Sequence, residues 1–220
     1  MTILITAGPT REAIDPVRFL SNRSSGKMGY AIAKSAADAG HRVILISGPT
    51  ELDVPDRVDF IPVESASEMH DSVEHWIKRA DIAIFAAAVA DYRPAEIQPH
   101  KIKKNETSLT LQLVKTPDIL GSAREDFGYR GVLIGFAAET QNLEDNARKK
   151  LKLKQCDLII ANDVSRSDIG FDAHENEILM VYADHSEALP KASKQHLAHL
   201  ILEQASELAA ARDPDKFTES

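Results

Sequence analysis

TILITAGPTREAIDPVRFLSNRSSGKMGYAIA, residues 2 to 33, opens on an aliphatic, β-branched run and closes on a helical pattern that begins near Gly26. Runs like its first seven residues recur at 41–47 (HRVILIS), 57–63 (RVDFIPV), 81–89 (DIAIFAAAV), 131–139 (GVLIGFAAE) and 157–163 (DLIIAND). Near-continuous apolar runs suit strands covered on both faces. Helical patterns lie between them at 26–39, 66–79, 117–126 and 141–154. The first stops at Gly40, a C′ residue, and the fourth sets Glu144 four positions before Arg148, a favourable helix pair. Strand and helix alternate, which implies an α/β, doubly wound, mostly parallel Rossmann-like sheet with helices on both faces. A strand at 177–184 (EILMVYAD) and an amphipathic helix at 191–212 complete one expected domain, residues 1–212; the tail 213–220 should fray.

Bulk properties narrow the function classes. The chain has 220 residues and a formal net charge of −8, so neither nucleic acid nor an anionic membrane has compositional support as a partner. No run of 18 apolar residues is present, and MTILITAG lacks the basic leader of a signal peptide, which gives a cytoplasmic expectation. The single cysteine, Cys156, excludes an intramolecular disulfide and reads as a packed residue beside its apolar strand. The eight histidines contain no H-E-x-x-H, and His196 with His199 decorate the last helix.

The stretch from residue 9 to residue 25 reads as a loop, too long for a dinucleotide-binding turn, whose glycines must follow the strand directly. Nor is this a P-loop. Met28 follows Gly26-Lys27 where a Ser or Thr would be required, and no glycine lies five residues before Gly26. Ser24, Ser25, Gly26 and Gly29 at a helix start remain, and two readings stand: a Ser-capped helix whose Gly29 packs on the first strand, or a phosphate seat using free N–H groups and the helix dipole. Residues 92–108, YRPAEIQPHKIKKNETS, form a basic flap holding Arg93, Lys101, Lys103 and Lys104. A long connection of this kind is usually functional or disordered, and two readings stand: a solvated basic loop, or an extended segment whose Lys101 and Lys103 project to one side and reach a polyphosphate together. Lys150 and Lys154 share a helix face within a crowd of Arg148, Lys149 and Lys152. Asp91, Glu139, Asn162 and Asp163 fall at the carboxyl ends of strands, where open α/β sheets place ligands, and alanines 86–88 leave room for a flat base.

With those residues in view, ITAGPTREAIDPVRFLSNRSSGKMGYAIA, AAAVADYRP, KIKK, KTPDIL, GFAAET and ANDVS, with Gly170-Phe171, together resemble the phosphopantothenoylcysteine synthetase (phosphopantothenate-cysteine ligase) family of coenzyme A biosynthesis. The similarity runs from about residue 2 to residue 205 in order. It is greatest to the bacterial form that is usually the C-terminal half of a bifunctional flavoprotein, implying a decarboxylase domain or partner and no flavin in this chain. The implied reaction has two steps: phosphopantothenate attacks the α-phosphate of CTP with Mg²⁺ and releases pyrophosphate, then the amine of cysteine displaces CMP. By motif, Asn22 would hold the acyl intermediate and Lys101 would neutralise phosphate from the flap. Ala86, Ala87, Ala88, Asp91, Pro117, Asp118, Ile119, Leu120, Phe136, Lys150 and Lys154 match nucleotide contacts, and Ser24, Ser25, Gly26 and Gly29 the phosphate turn. The resemblance also implies a homodimer whose flap crosses to the partner. Arg23 departs from the motif, where histidine is common.

Such chemistry needs positioning and charge neutralisation more than a nucleophile. The Asn22 amide is expected to donate to the acyl oxygen. An NAD(P)-dependent oxidoreductase and a nucleotide-sensing module without turnover are the competing readings; the missing glycine fingerprint speaks against the first.

Overall fold

The computed structural model describes residues 1–104, 108–165 and 175–213. Six parallel strands form the sheet: β1 (Thr2–Ala7), β4 (Arg42–Ser47), β5 (Val58–Pro62), β6 (Ile82–Phe85), β9 (Val132–Glu139) and β10 (Leu158–Asp163). Their order is β5-β4-β1-β6-β9-β10, and β11 (Glu175–Val181) and β12 (Ser186–Ser193) add antiparallel beyond β10. The chain runs outward from β1 to β5, then returns to β6 and runs the other way, so β1 and β6 flank a topological switch point.

Period-two alternation divides the core. Ile3, Ile5, Ile82, Ile84, Val132 and Ile134 face α1 (Lys27–Asp38) and α5 (Lys194–Arg212). Leu4, Ile44, Ala83 and Leu133 face α2 (Ala66–Ile77) and α3 (Ile119–Glu125), while Ile159 and Ala161 face α4 (Leu143–Leu153). The expected helices on both faces are therefore present. The tail 214–220 and the Gly170-Phe171 motif lie outside the described residues.

Three expectations are corrected. The stretch 9–25 is not a plain loop: β2 (Arg11–Asp15) and β3 (Arg18–Ser21) pair antiparallel as a ribbon above the switch point. The flap is framed by a pair, β7 (Tyr92–Pro94) with β8 (Leu113–Lys115), so the excursion reaches beyond residue 108. Strand β12 takes residues 191–193 from the expected last helix, which begins at Lys194 behind a Ser193 cap accepting the His196 N–H at 3.2 Å.

Candidate functional site

A cavity of about 1000 Å³ opens at the carboxyl ends of β1, β6, β9 and β10. Thr6 lines it, and Thr10 is buried behind it. Thr6 Oγ1 accepts the Ala87 N–H at 3.3 Å, and the fully buried Thr10 Oγ1 accepts that of Ala90 at 3.0 Å. A parallel bridge between Pro9 and Ala88 continues the β1–β6 pairing past the strands. The 86–90 segment is thus a backbone shelf fastened from below.

The start of α1 forms one wall, and it is not serine-capped. Gly26 occupies the N-cap with φ +76°, no side chain caps the helix, and Ser24 Oγ instead accepts the N–H of Gly26 at 3.3 Å. A left-handed cap is cheap only for glycine. Gly29 brings the helix down onto β1: a Cβ there would sit 2.6 Å from the Ala7 Cβ. That close approach matches the expectation from sequence; it aims the positive end of α1 into the cavity, the arrangement that attracts an anion.

On the opposite wall α3 and α4 converge. Lys150 Nζ donates to the Phe136 carbonyl at 2.6 Å, and Lys154 pairs with the Asp118 carboxylate. Asp118 Oδ1 also accepts the Gly121 N–H at 3.0 Å, capping α3. Burial pushes the Asp118 carboxyl upward, but Lys154 and the Gly121 N–H outweigh it, and the carboxyl ends below the ordinary carboxylate range. Burial likewise lowers the Lys150 ammonium, against the pull of Cys156 and Glu139. These two lysines are committed to a carbonyl and a carboxylate. Each ammonium has further N–H donors beyond these partners, and both lysines line the cavity, as the resemblance to nucleotide contacts expects.

The structure brings together Asn22, Ser24, Gly26, Gly29, Ala86, Ala87, Ala88, Asp91, Pro117, Asp118, Ile119, Leu120, Phe136, Lys150 and Lys154, all lining this cavity. Ser25 and Lys101 are not among the lining residues of the single chain. Lys101 is exposed on the flap. Arg148, placed in the same crowd by sequence, turns away to Glu144 and Ser186. Asn22 is oriented opposite to expectation: its Nδ2 donates to the Ala88 and Val89 carbonyls at 3.1 and 3.0 Å, so both amide hydrogens are used and Oδ1, an acceptor, is what remains. Residues with no motif signal also line the cavity, including the buried Asn176 and Lys194.

Among the described residues the cavity offers two carboxylates, Asp91 and Asp118, and the second is committed. That donor set suits Mg²⁺, which keeps much of its water and takes one or two carboxylates plus substrate phosphates. The one group of three potential metal ligands among the described residues, His70, Asp71 and Glu74, lies on α2 and does not line the cavity. Cys156 is held inert, its thiol pushed up to about 12 by burial. No helix among the described residues is long and apolar enough to cross a membrane.

The profile of a family described as the DNA/pantothenate metabolism flavoprotein C-terminal domain matches residues 1–208. The coenzyme A biosynthesis bifunctional protein CoaBC of Bacillus subtilis (strain 168) is 48% identical over 209 residues, covering 94% of this chain and 51% of that protein. This chain thus spans about half the length of the curated relatives it matches. Among solved structures, the C-terminal domain of a coenzyme A biosynthesis bifunctional protein CoaBC is similar with a TM-score of 0.81 and 43% identity, over 96% of each chain. The DNA/pantothenate metabolism flavoprotein from Streptococcus pneumoniae gives a TM-score of 0.81 at 27% identity, over 94% of this chain and 99% of that one.

Proposed function

Because the chain belongs to the DNA/pantothenate metabolism flavoprotein C-terminal domain family, we propose that it joins 4′-phosphopantothenate to L-cysteine through an acyl-cytidylate. The observation that carries the reading is the two-ended cavity. One end is the open positive start of α1 with Ser24, Gly26 and Gly29; the other holds the Lys150 and Lys154 donors beside Phe136. A nucleoside triphosphate has that same division between anionic tail and neutral base. CTP is the nucleotide in this reading, with the cytosine at the lysine end and the triphosphate at α1.

In the first step a carboxylate oxygen of phosphopantothenate attacks the α-phosphorus and the bond to pyrophosphate breaks. Asp91 would hold Mg²⁺, which would supply charge neutralisation when bound. Lys101 adds a further positive charge from the flap. In the second step the cysteine nitrogen attacks the acyl carbon, the acyl–phosphate bond breaks, CMP leaves, and the amine sheds a proton. Asn22 Oδ1, directed by the two carbonyls its amide nitrogen serves, accepts from the incoming amine and holds it in line. No side-chain nucleophile is required.

A homodimer is part of this reading. Val17 and Phe19 on the ribbon and Tyr92, Ile97, Leu109 and Leu113 on the flap excursion are all exposed by 44% or more. Apolar side chains gathered on one module mark a surface for a partner, here a second copy that brings Lys101 toward a neighbouring cavity. A decarboxylase domain or partner accounts for the other half of the relatives' length. Pyrophosphate release measured with phosphopantothenate, in CTP against ATP and with or without cysteine, tests the proposal: release with CTP and amide formation on adding cysteine are expected. Nucleotide binding without release would leave a sensing module instead.

A further inference from the structure

The ribbon and the flap are joined at one buried carboxylate. The side chain of Asp15 has no solvent exposure, and five donors converge on it. Four belong to its own turn: the Val17 and Arg18 N–H groups on Oδ1, both at 2.9 Å, and the Arg18 guanidinium on Oδ2 through Nε at 3.0 Å and Nη2 at 2.5 Å. A turn carboxylate needs no more than these. The fifth comes from 87 residues away: the Ile102 N–H donates to Oδ2 at 3.1 Å. Arg18 Nη2 closes the loop by donating to the Ile102 carbonyl at 3.0 Å, so both backbone groups of Ile102 are held by the Asp15–Arg18 pair. A second tie, from the Gln98 N–H to the Ile14 carbonyl at 3.0 Å, lies one residue before Asp15. Lys101 is the residue immediately before Ile102 and has no such anchor of its own among the hydrogen bonds described.

We propose that Asp15 is a positioning residue that latches the flap to the ribbon at Ile102 and thereby sets where Lys101 stands. The proposal rests on the ligase reading for the role of Lys101, but the latch itself is a property of the unliganded chain. The arrangement suits its purpose because a charged acceptor holds an amide more strongly than a neutral one, and because Arg18 keeps the carboxylate ionised. A lysine that must meet a transient charge gains from being fixed at its backbone while its long side chain stays free to reach.

The test uses the full chain with two separate lesions. Asp15→Asn weakens every bond of the latch. Ile102→Pro deletes the long-range N–H, fixing φ at 102 as it does so, and leaves Asp15 its four ribbon donors, so it carries the test even if Asp15→Asn does not fold. Brief trypsin treatment, read by mass, reports cleavage after Lys103 and Lys104; the bond after Lys101 is left out because trypsin does not cut the Lys–Pro bond that Ile102→Pro creates. Both variants are expected to be cut there about tenfold faster or more, since local opening sets the rate. The kcat for pyrophosphate release should fall about 10- to 100-fold while the affinity for CMP is unchanged. In a Lys101→Gln background, Asp15→Asn should cost nothing further in kcat, because the two act as one unit.

Unchanged cleavage in Ile102→Pro overturns the latch. Losses from Asp15→Asn and Lys101→Gln that multiply independently overturn the link to Lys101. If the wild-type chain releases no pyrophosphate at all, the ligase reading falls, and the proteolysis result still decides whether the flap is fastened at Ile102.

Discussion

Replacing Gly29 with alanine sets two known effects against each other, and the structure decides the sign. Alanine favours the helix by up to about 1 kcal/mol. Against this, the new methyl would lie 2.6 Å from the Ala7 Cβ and 3.2 Å from its Cα, with the Thr6 carbonyl at 3.4 Å. Carbon atoms rest about 3.5–4.0 Å apart, so relief requires a shift of about 1 Å. Ala7 and Thr6 are buried in the central strand, and the start of α1 is the part left to move. A clash with buried strand atoms that cannot move falls in the upper part of the overpacking range, about 2–3 kcal/mol, so subtracting a helix gain of about 1 kcal/mol leaves a net loss of about 1–2 kcal/mol and a fall in Tm of about 2–8 °C. The displaced turn is the one that faces the phosphate end, where about 1 Å is worth up to 100-fold. Urea unfolding gives the first number, and calorimetric titration with inorganic pyrophosphate gives the second. Gly40→Ala is the control: its φ is +81° and nothing lies within 4 Å of where the methyl would stand, so it should lose about 1 kcal/mol with pyrophosphate affinity unchanged. A Gly29→Ala protein as stable as wild type, or one that is destabilised yet binds pyrophosphate normally, would refute the reasoning.

Lys101→Gln is expected to lower turnover at least tenfold with an unchanged urea midpoint, because the residue is exposed and holds no part of the core. Asn22→Asp should reduce amide formation more than pyrophosphate release, since a carboxylate beside the amine keeps it protonated and unable to attack; equal losses in the two half-reactions would count against this. Asp118 has a folded pKa below its ordinary 3.8, so its pairing with Lys154 stabilises the chain above that pH and the benefit is lost as pH falls through the folded value. The stability gap between wild type and Lys154→Met, measured by unfolding at pH 6 and near pH 3, should therefore narrow in acid. With its thiol near 12, Cys156 should be thiolate in only about one molecule in ten thousand at pH 8 and react with a disulfide reagent only after unfolding.

The parallel strands were legible because a strand covered on both faces must be aliphatic throughout, and the runs at 2–8, 41–47, 81–89 and 131–139 have that character. The ribbon was not, because Arg11–Asp15 and Arg18–Ser21 carry no apolar alternation, and β2 is tied to residues remote in sequence: the Arg11 N–H donates to the Glu64 carbonyl and the Ala66 N–H to the Glu12 carboxylate. Strand β12 was hidden for a similar reason: SEALPKAS is largely exposed and contains Pro190, which an edge strand tolerates and a central one does not. Within the site, Lys150 and Lys154 could be placed on one face by spacing, but their partners, the Phe136 carbonyl and Asp118, are remote in sequence. The stretch Ser24-Ser25-Gly26 contains both kinds of helix cap, hydroxyl and left-handed glycine, and only backbone conformation chooses between them. Thr10 and Lys194 read as an ordinary loop hydroxyl and an ordinary helix charge, since burial is not written in residue type.

Helix α5 behaves as a strut pinned at both extremities. Its first residue, Lys194, is 7% exposed and borders the cavity, while its last, Arg212, grips the Arg130 and Gly131 carbonyls and the Asp157 carboxylate at the opposite, amino ends of β9 and β10. Nineteen residues at about 1.5 Å each make a rod close to 28 Å long. A rod that stiff does not absorb a disturbance at one tip by bending in the middle. Loosening the arginine clasp would therefore be felt as tilt at the opposite tip, making the ligand chamber sensitive to a contact that touches no ligand.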